Sequence, residues 1–172
     1  LDRLRQIDAA YGNRVRTYYS DPLTIEREVC AADVVIGAVL LPGGAAPKLV
    51  SASMVTKMKP GAVVVDVAID QGGCFETSRS TTHSDPSYLV DGVIHYCVPN
   101  IPARYSRTAS VSISNIFTPY LLEIAENGGL ENALRFDRGL KNGLYFYHGI
   151  LTNKSVANWF DLDYRDVNLL IF

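Results

Sequence analysis

Apolar and polar positions change period several times along the chain, and each change predicts an element. In "LDRLRQIDAAYG" the residues Leu1, Leu4, Ile7 and Ala10 recur at helical spacing. Gly12 and Asn13 end that helix. "RVRTYYS" (14–20) reads as a short strand. Asp21 and Pro22 predict the start of a second helix over "LTIEREVCAA", the carboxylate capping free N–H groups and proline taking the first helical position. "DVVIGAVL" (33–40) is a bounded, β-branched run and predicts a buried strand. "LPGGAAPK" is a loop, "LVSASMVTKMK" a helix stopped by Pro60-Gly61, and "AVVVDVAI" (62–69) a second buried strand. A polar stretch leads to a third, "GVIHYCV" (92–98). Strands that alternate with helices of this length predict an α/β fold, a parallel sheet with helices packed on it.

The pattern changes after Pro102. "RYSRTASVSISNIFTPYLLEIAENGG" predicts one long helix over 104–127, with Ala109, Ile113, Ile116, Phe117, Tyr120 and Ile124 at helical spacing. Pro119 predicts a kink and Gly128-Gly129 a stop. "LENALRF" reads as a short helix and "GLYFYHGILTN" as a hairpin turning near His148-Gly149. "KSVANWF" and "YRDVNLLIF" read as short helices. The chain therefore divides near Ile101–Pro102 into an α/β part and a mainly helical part. A chain that opens inside a helix on Leu1 is expected to be a piece of a longer one.

Composition narrows the classes. With 16 basic and 18 acidic residues the formal charge is −2, which gives no electrostatic reason to expect nucleic acid or a membrane surface. No apolar run is long enough to span a bilayer. Cys30, Cys74 and Cys97 lie far apart, in no metal-ligand spacing, and read as buried, reduced thiols of a cytoplasmic protein.

In an open parallel sheet, ligands bind beyond the carboxyl ends of the strands. Three features sit there: Val39 and Leu40 with Pro42-Gly43-Gly44; Asp70-Gln71-Gly72-Gly73; and Val98-Pro99-Asn100. The second strand is expected to deliver Asp70 to the mouth of a crevice, with glycines clearing room beside it. The competing reading is a carboxylate that merely caps a turn. The joint in "MVTKMKPGAVVVDVA" recurs in the later half of nicotinamide-dinucleotide domains. The glycine-rich phosphate fingerprint is absent, as is an acid at the end of a second strand. If 14–20 and 33–40 are the third and fourth strands of the order 3-2-1-4-5-6, they do not pair. The rival is a small α/β domain in which they do. His83 reads as ordering its loop, His95 as packed and His148 as surface, with Trp159, Phe160 and Tyr164 as packing or subunit contacts.

The segments "DVVIGAVLLPGGAAPKLVSASMV", "MKPGAVVVDVAIDQGGCFETSRSTTH" and "GVIHYCVPNIPARYSRTAS" closely resemble the alanine dehydrogenase family, a relative of the α part of nicotinamide nucleotide transhydrogenase. The resemblance covers essentially the whole chain. Its most specific run is Ile69 to Cys74 with Thr81-Thr82-His83, and Asp70 favours the dehydrogenase branch. It implies two domains: residues 1–101 as the later part of an NAD-binding Rossmann domain, and 102–172 as the helical return segment of a catalytic domain. The amino-terminal part of the same chain would bring the substrate-binding lysine and arginine, the catalytic histidine, the glycine fingerprint and the ribose acid. By motif, Asp70 is the active-site aspartate. Ser20, Val39, Leu40, Val67, Ala68, Ile69, Asp70, Arg79, Val98, Pro99, Asn100 and Ile101 match NAD-contacting positions, and Arg3 lies toward the adenosine end. One departure is visible: "VPNIPARYSRTAS" replaces the commoner Val-Ala-Asn-Met-Pro with its downstream Val-Pro-Arg-Thr. Pro99 constrains the backbone there, with a φ suited to extended chain. The implied reaction is the reversible, NAD-dependent oxidative deamination of L-alanine to pyruvate and ammonia, through an iminium that water attacks. The implied assembly is a homo-oligomer, hexameric in the family. A non-catalytic nucleotide-binding or assembly module and a transhydrogenase α-like subunit are the alternatives.

Overall fold

The structure is a computed structural model that describes residues 1–41 and 43–171; Pro42 of the first glycine loop and Phe172 lie outside the described residues. The chain forms two units, residues 1–40 with 45–99, and residues 41–44 with 100–172.

The first unit is built on a four-stranded sheet: β1 (Val34–Gly37), β2 (Val63–Asp66), β3 (Ser87–Val90) and β4 (Val93–Tyr96), in the order β1-β2-β4-β3. β1, β2 and β4 run parallel, with Val34 beside Val63 and Val63 beside Ile94, so their carboxyl ends share one edge of the sheet. β3 is antiparallel to β4 and lies within the polar stretch between the second and third apolar runs. Its turn is Asp91-Gly92, both at positive φ (50° and 79°). That is the primed two-residue turn whose twist matches its strands, and glycine takes one of the two left-handed positions freely.

One face of the sheet carries the core. Val64 and Val93 are fully buried there with Phe75, beside Val29 of α2 (Pro22–Ala31) and Val55 of α3 (Ala52–Val55). On the other face Val34 and Ile36 are 55% and 65% exposed. This corrects the expectation of a strand 33–40 buried throughout: β1 has four residues, and side chains alternate between a packed and an open face. Residues 14–20 also depart from expectation. They form no strand: among the described residues β1 pairs with β2 alone, and its other edge is not joined by 14–20. Gly12–Arg14 instead make a 3-10 turn after α1 (Asp2–Tyr11), and the Thr17 hydroxyl donates to Asp8 at 2.8 Å. Asp21 caps α2 as expected, accepting from the Thr24 N–H at 2.9 Å and its hydroxyl at 2.7 Å, which hold its carboxyl below the usual range. α3 is shorter than the predicted helix and is capped by Ser51.

The second unit opens with a 3-10 turn, Ile101–Tyr105, and the long helix α4 (Ser106–Glu126), which runs unbroken through Pro119. None of its residues is buried; Ile113, Ile116 and Phe117 are exposed. α5 (Leu130–Phe136) follows the two glycines. α6 (Arg138–Asn142), capped by Asp137, was not foreseen. The hairpin of β5 (Phe146–Tyr147) and β6 (Ile150–Leu151) turns at His148-Gly149 as read from the sequence. α7 (Lys154–Phe160) is capped by Asn153, and a 3-10 turn at Val167–Leu169 stands where a last helix was expected. Ala133, Leu134, Leu151, Ala157 and Ile171 are buried. Among the described residues no helix is long and apolar enough to cross a membrane.

Candidate functional site

β2 ends at Asp66, four residues before Asp70, so Asp70 is not on the strand itself. The cause is Asp66. Its carboxylate accepts the Ala68 N–H at 3.0 Å and turns the chain into a 3-10 turn, Val67–Gln71, along which Asp70 is exposed. The carboxyl edge of the sheet is nevertheless where this turn sits. A pocket of about 300 Å³ opens there, lined by Ala38, Val39 and Leu40 leaving β1, and by Val67, Ala68, Asp70 and Gln71 leaving β2. Its walls are small or aliphatic side chains, with one carboxylate and one carboxamide among them. The Gln71 amide oxygen is buried and has no hydrogen-bond partner among the described residues.

The rest of the loop is tied down on both sides. Asp66 is fully buried. It also accepts from the Cys74 N–H at 2.9 Å, the Ser78 hydroxyl at 2.6 Å and the Phe75 N–H at 3.5 Å, and from the Cys74 thiol at 3.6 Å. Burial first, and the Asp66 charge and hydrogen bond after it, push the Cys74 thiol up to about 11. From outside, the Lys48 ammonium donates to the carbonyls of Gly72 (2.6 Å), Gly73 (2.9 Å) and Phe75 (3.1 Å). Sequence reasoning missed Asp66 and Lys48, and placed Gln71 at this strand end without giving it a role. A signal for Asp66 was present: an acid inside the continuous apolar run "VVVDVA" must find buried donors.

The other sequence-predicted positions divide. Val39, Leu40, Val67, Ala68 and Asp70 come together at the pocket. Ile69 turns into the interior, 4% exposed, and does not line the pocket. Val98, 1% exposed, and Pro99 follow β4 along the same sheet edge but do not line the pocket. Ser20 is exposed ahead of the α2 cap, apart from the pocket lining. Arg79 is exposed, with its guanidinium 4.0 Å from the centre of the Tyr88 ring and its N–H donating to the Tyr88 hydroxyl at 2.8 Å. Burial is the first cause that pushes that phenol up to about 12. Asn100 and Ile101 begin the second unit, Asn100 in the left-handed region at φ 52°.

His95 is fully buried and stacks on Tyr88 with centroids 5.1 Å apart. Its Nδ1 faces the Val93 carbonyl at 3.1 Å and so carries a proton, while Nε2 meets the Thr77 hydroxyl at 2.8 Å. It is a packed histidine, as the sequence suggested. His83 is half-buried, with both ring nitrogens lacking a partner among the described residues. Those residues contain no cluster of ligating side chains suited to a metal ion.

The chain is 46% identical over 171 residues to the alanine dehydrogenase of Halomonas elongata, covering 99% of this chain and 46% of that protein. It is 47% identical over 166 residues to alanine dehydrogenase 2 of Staphylococcus aureus (strain USA300), covering 96% of this chain and 44% of the relative. It thus spans less than half the length of the curated relatives it matches. A solved L-alanine dehydrogenase superposes with a TM-score of 0.80 at 43% identity, over 93% of this chain and 44% of the other. A transhydrogenase from Sinorhizobium meliloti shares the fold, with a TM-score of 0.60 at 24% identity, over 81% of this chain and 37% of the other. Residues 1–154 match the model of the family described as alanine dehydrogenase/PNT, C-terminal domain, and the chain belongs to that family.

Proposed function

We propose that the full-length protein carrying this chain is an NAD-dependent alanine dehydrogenase, interconverting L-alanine with pyruvate and ammonia. The chain supplies one wall of its active site. The observation that carries this reading is the pocket at the carboxyl ends of β1 and β2, which gathers Val39, Leu40, Val67, Ala68 and Asp70. Residues 1–101 are read as the later part of the NAD-binding Rossmann domain and 102–172 as the return segment of the catalytic domain. The working form is read as a cytoplasmic homo-oligomer.

The pocket suits the nicotinamide end of the cofactor. Aliphatic walls take a flat ring, and 300 Å³ accommodates a ring but not a whole dinucleotide. Gln71, whose buried amide oxygen has no partner among the described residues, offers a group for a carboxamide. Val39, Leu40 and Ala68 would hold the ring, with Ser20, Arg79 and the backbone of Val98 and Pro99 toward the remainder of the dinucleotide. When bound, NAD accepts the hydride.

Asp70 does the electrostatic work in this reading. Deamination develops positive charge at the substrate carbon and nitrogen. A carboxylate fixed beside that charge stabilises it without reorganisation, and it orients the attacking water or, in reverse, ammonia. The test is the full-length gene product assayed with alanine and NAD, and with pyruvate, ammonia and NADH. Alanine-dependent NADH formation is expected. Asp70→Asn is expected to lower kcat by about 10²–10³-fold, the usual effect of removing one preorganised group. Hydride exchange between NAD and NADP without alanine turnover would overturn the reading in favour of a transhydrogenase-like subunit.

A further inference from the structure

We propose that Asp66 and Lys48 are a pair of positioning residues that hold the Asp70 loop in its working geometry; this rests on the reading of Asp70 given above. The two side chains divide the loop's backbone between them. Asp66 collects N–H donors from both ends, Ala68 on one side of Asp70 and Cys74 and Phe75 on the other, plus the Ser78 hydroxyl. Lys48 collects the carbonyls of Gly72, Gly73 and Phe75. Phe75 is gripped by both, through its N–H and through its carbonyl. The donors of the turn are thereby held by Asp66 and its acceptors by Lys48.

The sequence makes room for this. A Cβ on Gly73 would stand 2.6 Å from Asp66 Oδ2 and 2.9 Å from Ser78 Cβ, and one on Gly37 would run into Cys74 Sγ and, at 2.6 Å, Phe75 Cε2. Gly37 at the end of β1 and Gly73 in the loop thus clear the space around one carboxylate and its partners. Asp66 is fully buried, and its partners among the described residues are N–H, O–H and S–H groups rather than a cation. Burying a charge is costly, and a well-packed apolar residue would often serve stability as well. What an apolar residue could not do is take up three N–H groups that flank Asp70. Charge-assisted bonds of this kind are the strong ones and fix geometry as well as energy.

The test uses the full-length enzyme and the variants Asp66→Asn, Lys48→Met, Lys48→Arg and Asp70→Asn. Measured are kcat, KM for alanine, NADH affinity by fluorescence and hydrogen exchange of the 67–75 backbone, all at a temperature where each variant is folded. Asp66→Asn is expected to lower kcat at least tenfold and Lys48→Met about threefold, with NADH affinity within threefold of wild type. Both are expected to speed exchange across 67–75, and Lys48→Arg to restore both readouts. Folded Asp66→Asn or Lys48→Met enzyme with wild-type kcat and wild-type exchange overturns the proposal. So does a loss of kcat matched by an equal loss of NADH affinity. If Asp66→Asn does not accumulate folded, the Lys48→Met and Lys48→Arg pair decides, Lys48 being an exposed side chain. Faster exchange without any effect of Asp70→Asn on turnover places the failure in the assignment of Asp70, while the clamp on the loop stands.

Discussion

Gly72 and Gly73 are neighbours in sequence, both at positive φ (91° and 76°), yet alanine at the two positions is expected to behave differently. At Gly72 a Cβ meets nothing within 4 Å, so Gly72→Ala carries only the backbone cost of a left-handed residue, about 1–2 kcal/mol. At Gly73 the same backbone cost applies. In addition the new Cβ stands 2.6 Å from Asp66 Oδ2, 2.9 Å from Ser78 Cβ and 3.3 Å from Ile69 Cδ1. None of these yields easily: Asp66 is held by its donors, Ser78 Cβ is next to backbone, and Ile69 is buried. Overpacking of this kind costs about 1–3 kcal/mol. The difference between the two variants is therefore about 1–3 kcal/mol. Native-state hydrogen exchange of the Val64 and Val65 amides reads it in the full-length protein, since the opening free energy of the sheet falls by the amount lost. At a factor of ten for each 1.4 kcal/mol, Gly73→Ala is expected to exchange about 5- to 150-fold faster than Gly72→Ala. Equal rates, or faster exchange in Gly72→Ala, would refute the close packing of the loop on Asp66.

Two further predictions follow from the same region. Phe75, fully buried in the core with Val64 and Val93, is expected to cost about 3–5 kcal/mol when replaced by alanine, read as a lower unfolding midpoint with loss of near-ultraviolet ellipticity. The Cys74 thiol ionises from its ordinary value of 9.0 when unfolded but keeps its proton to about 11 when folded. Its contribution to stability is thus fully present below pH 9 and is lost as pH rises through 11; thermal scans should show that alkaline decline, and Cys74→Ala should flatten it.

How much could be read from the sequence depended on whether a feature is local. The Asp21 cap, the His148-Gly149 hairpin and the stop at Gly128-Gly129 were legible because each is decided within a few residues. The parallel arrangement of β1, β2 and β4 followed from the alternation of apolar runs with helices. Residues 14–20 misled because Val15, Tyr18 and Tyr19 have strand-like character, but a strand exists only through a partner, and 14–20 pair with no strand among the described residues. The β3–β4 hairpin carried a readable signal, Asp-Gly between "SYLV" and "VIHY", which the flanking polar residues obscured. At the site, the position of Asp70 near the sheet edge was legible from strand and glycines. The 3-10 turn that presents it was not, because that turn depends on Asp66 bonding to residues as far as Ser78. The three carbonyls on Lys48, more than twenty residues away in sequence, were equally out of reach.

The central claim is that the nicotinamide reacts in the pocket between the exits of β1 and β2, with Asp70 at its rim. The most direct measurement is a crystal structure of the full-length protein with NADH bound. The account predicts the nicotinamide ring within about 4 Å of Val39, Leu40 and Ala68, the distance of packed apolar contact, with the Asp70 carboxylate beside its reactive edge. A ring bound elsewhere, with this pocket filled by protein side chains, would contradict it.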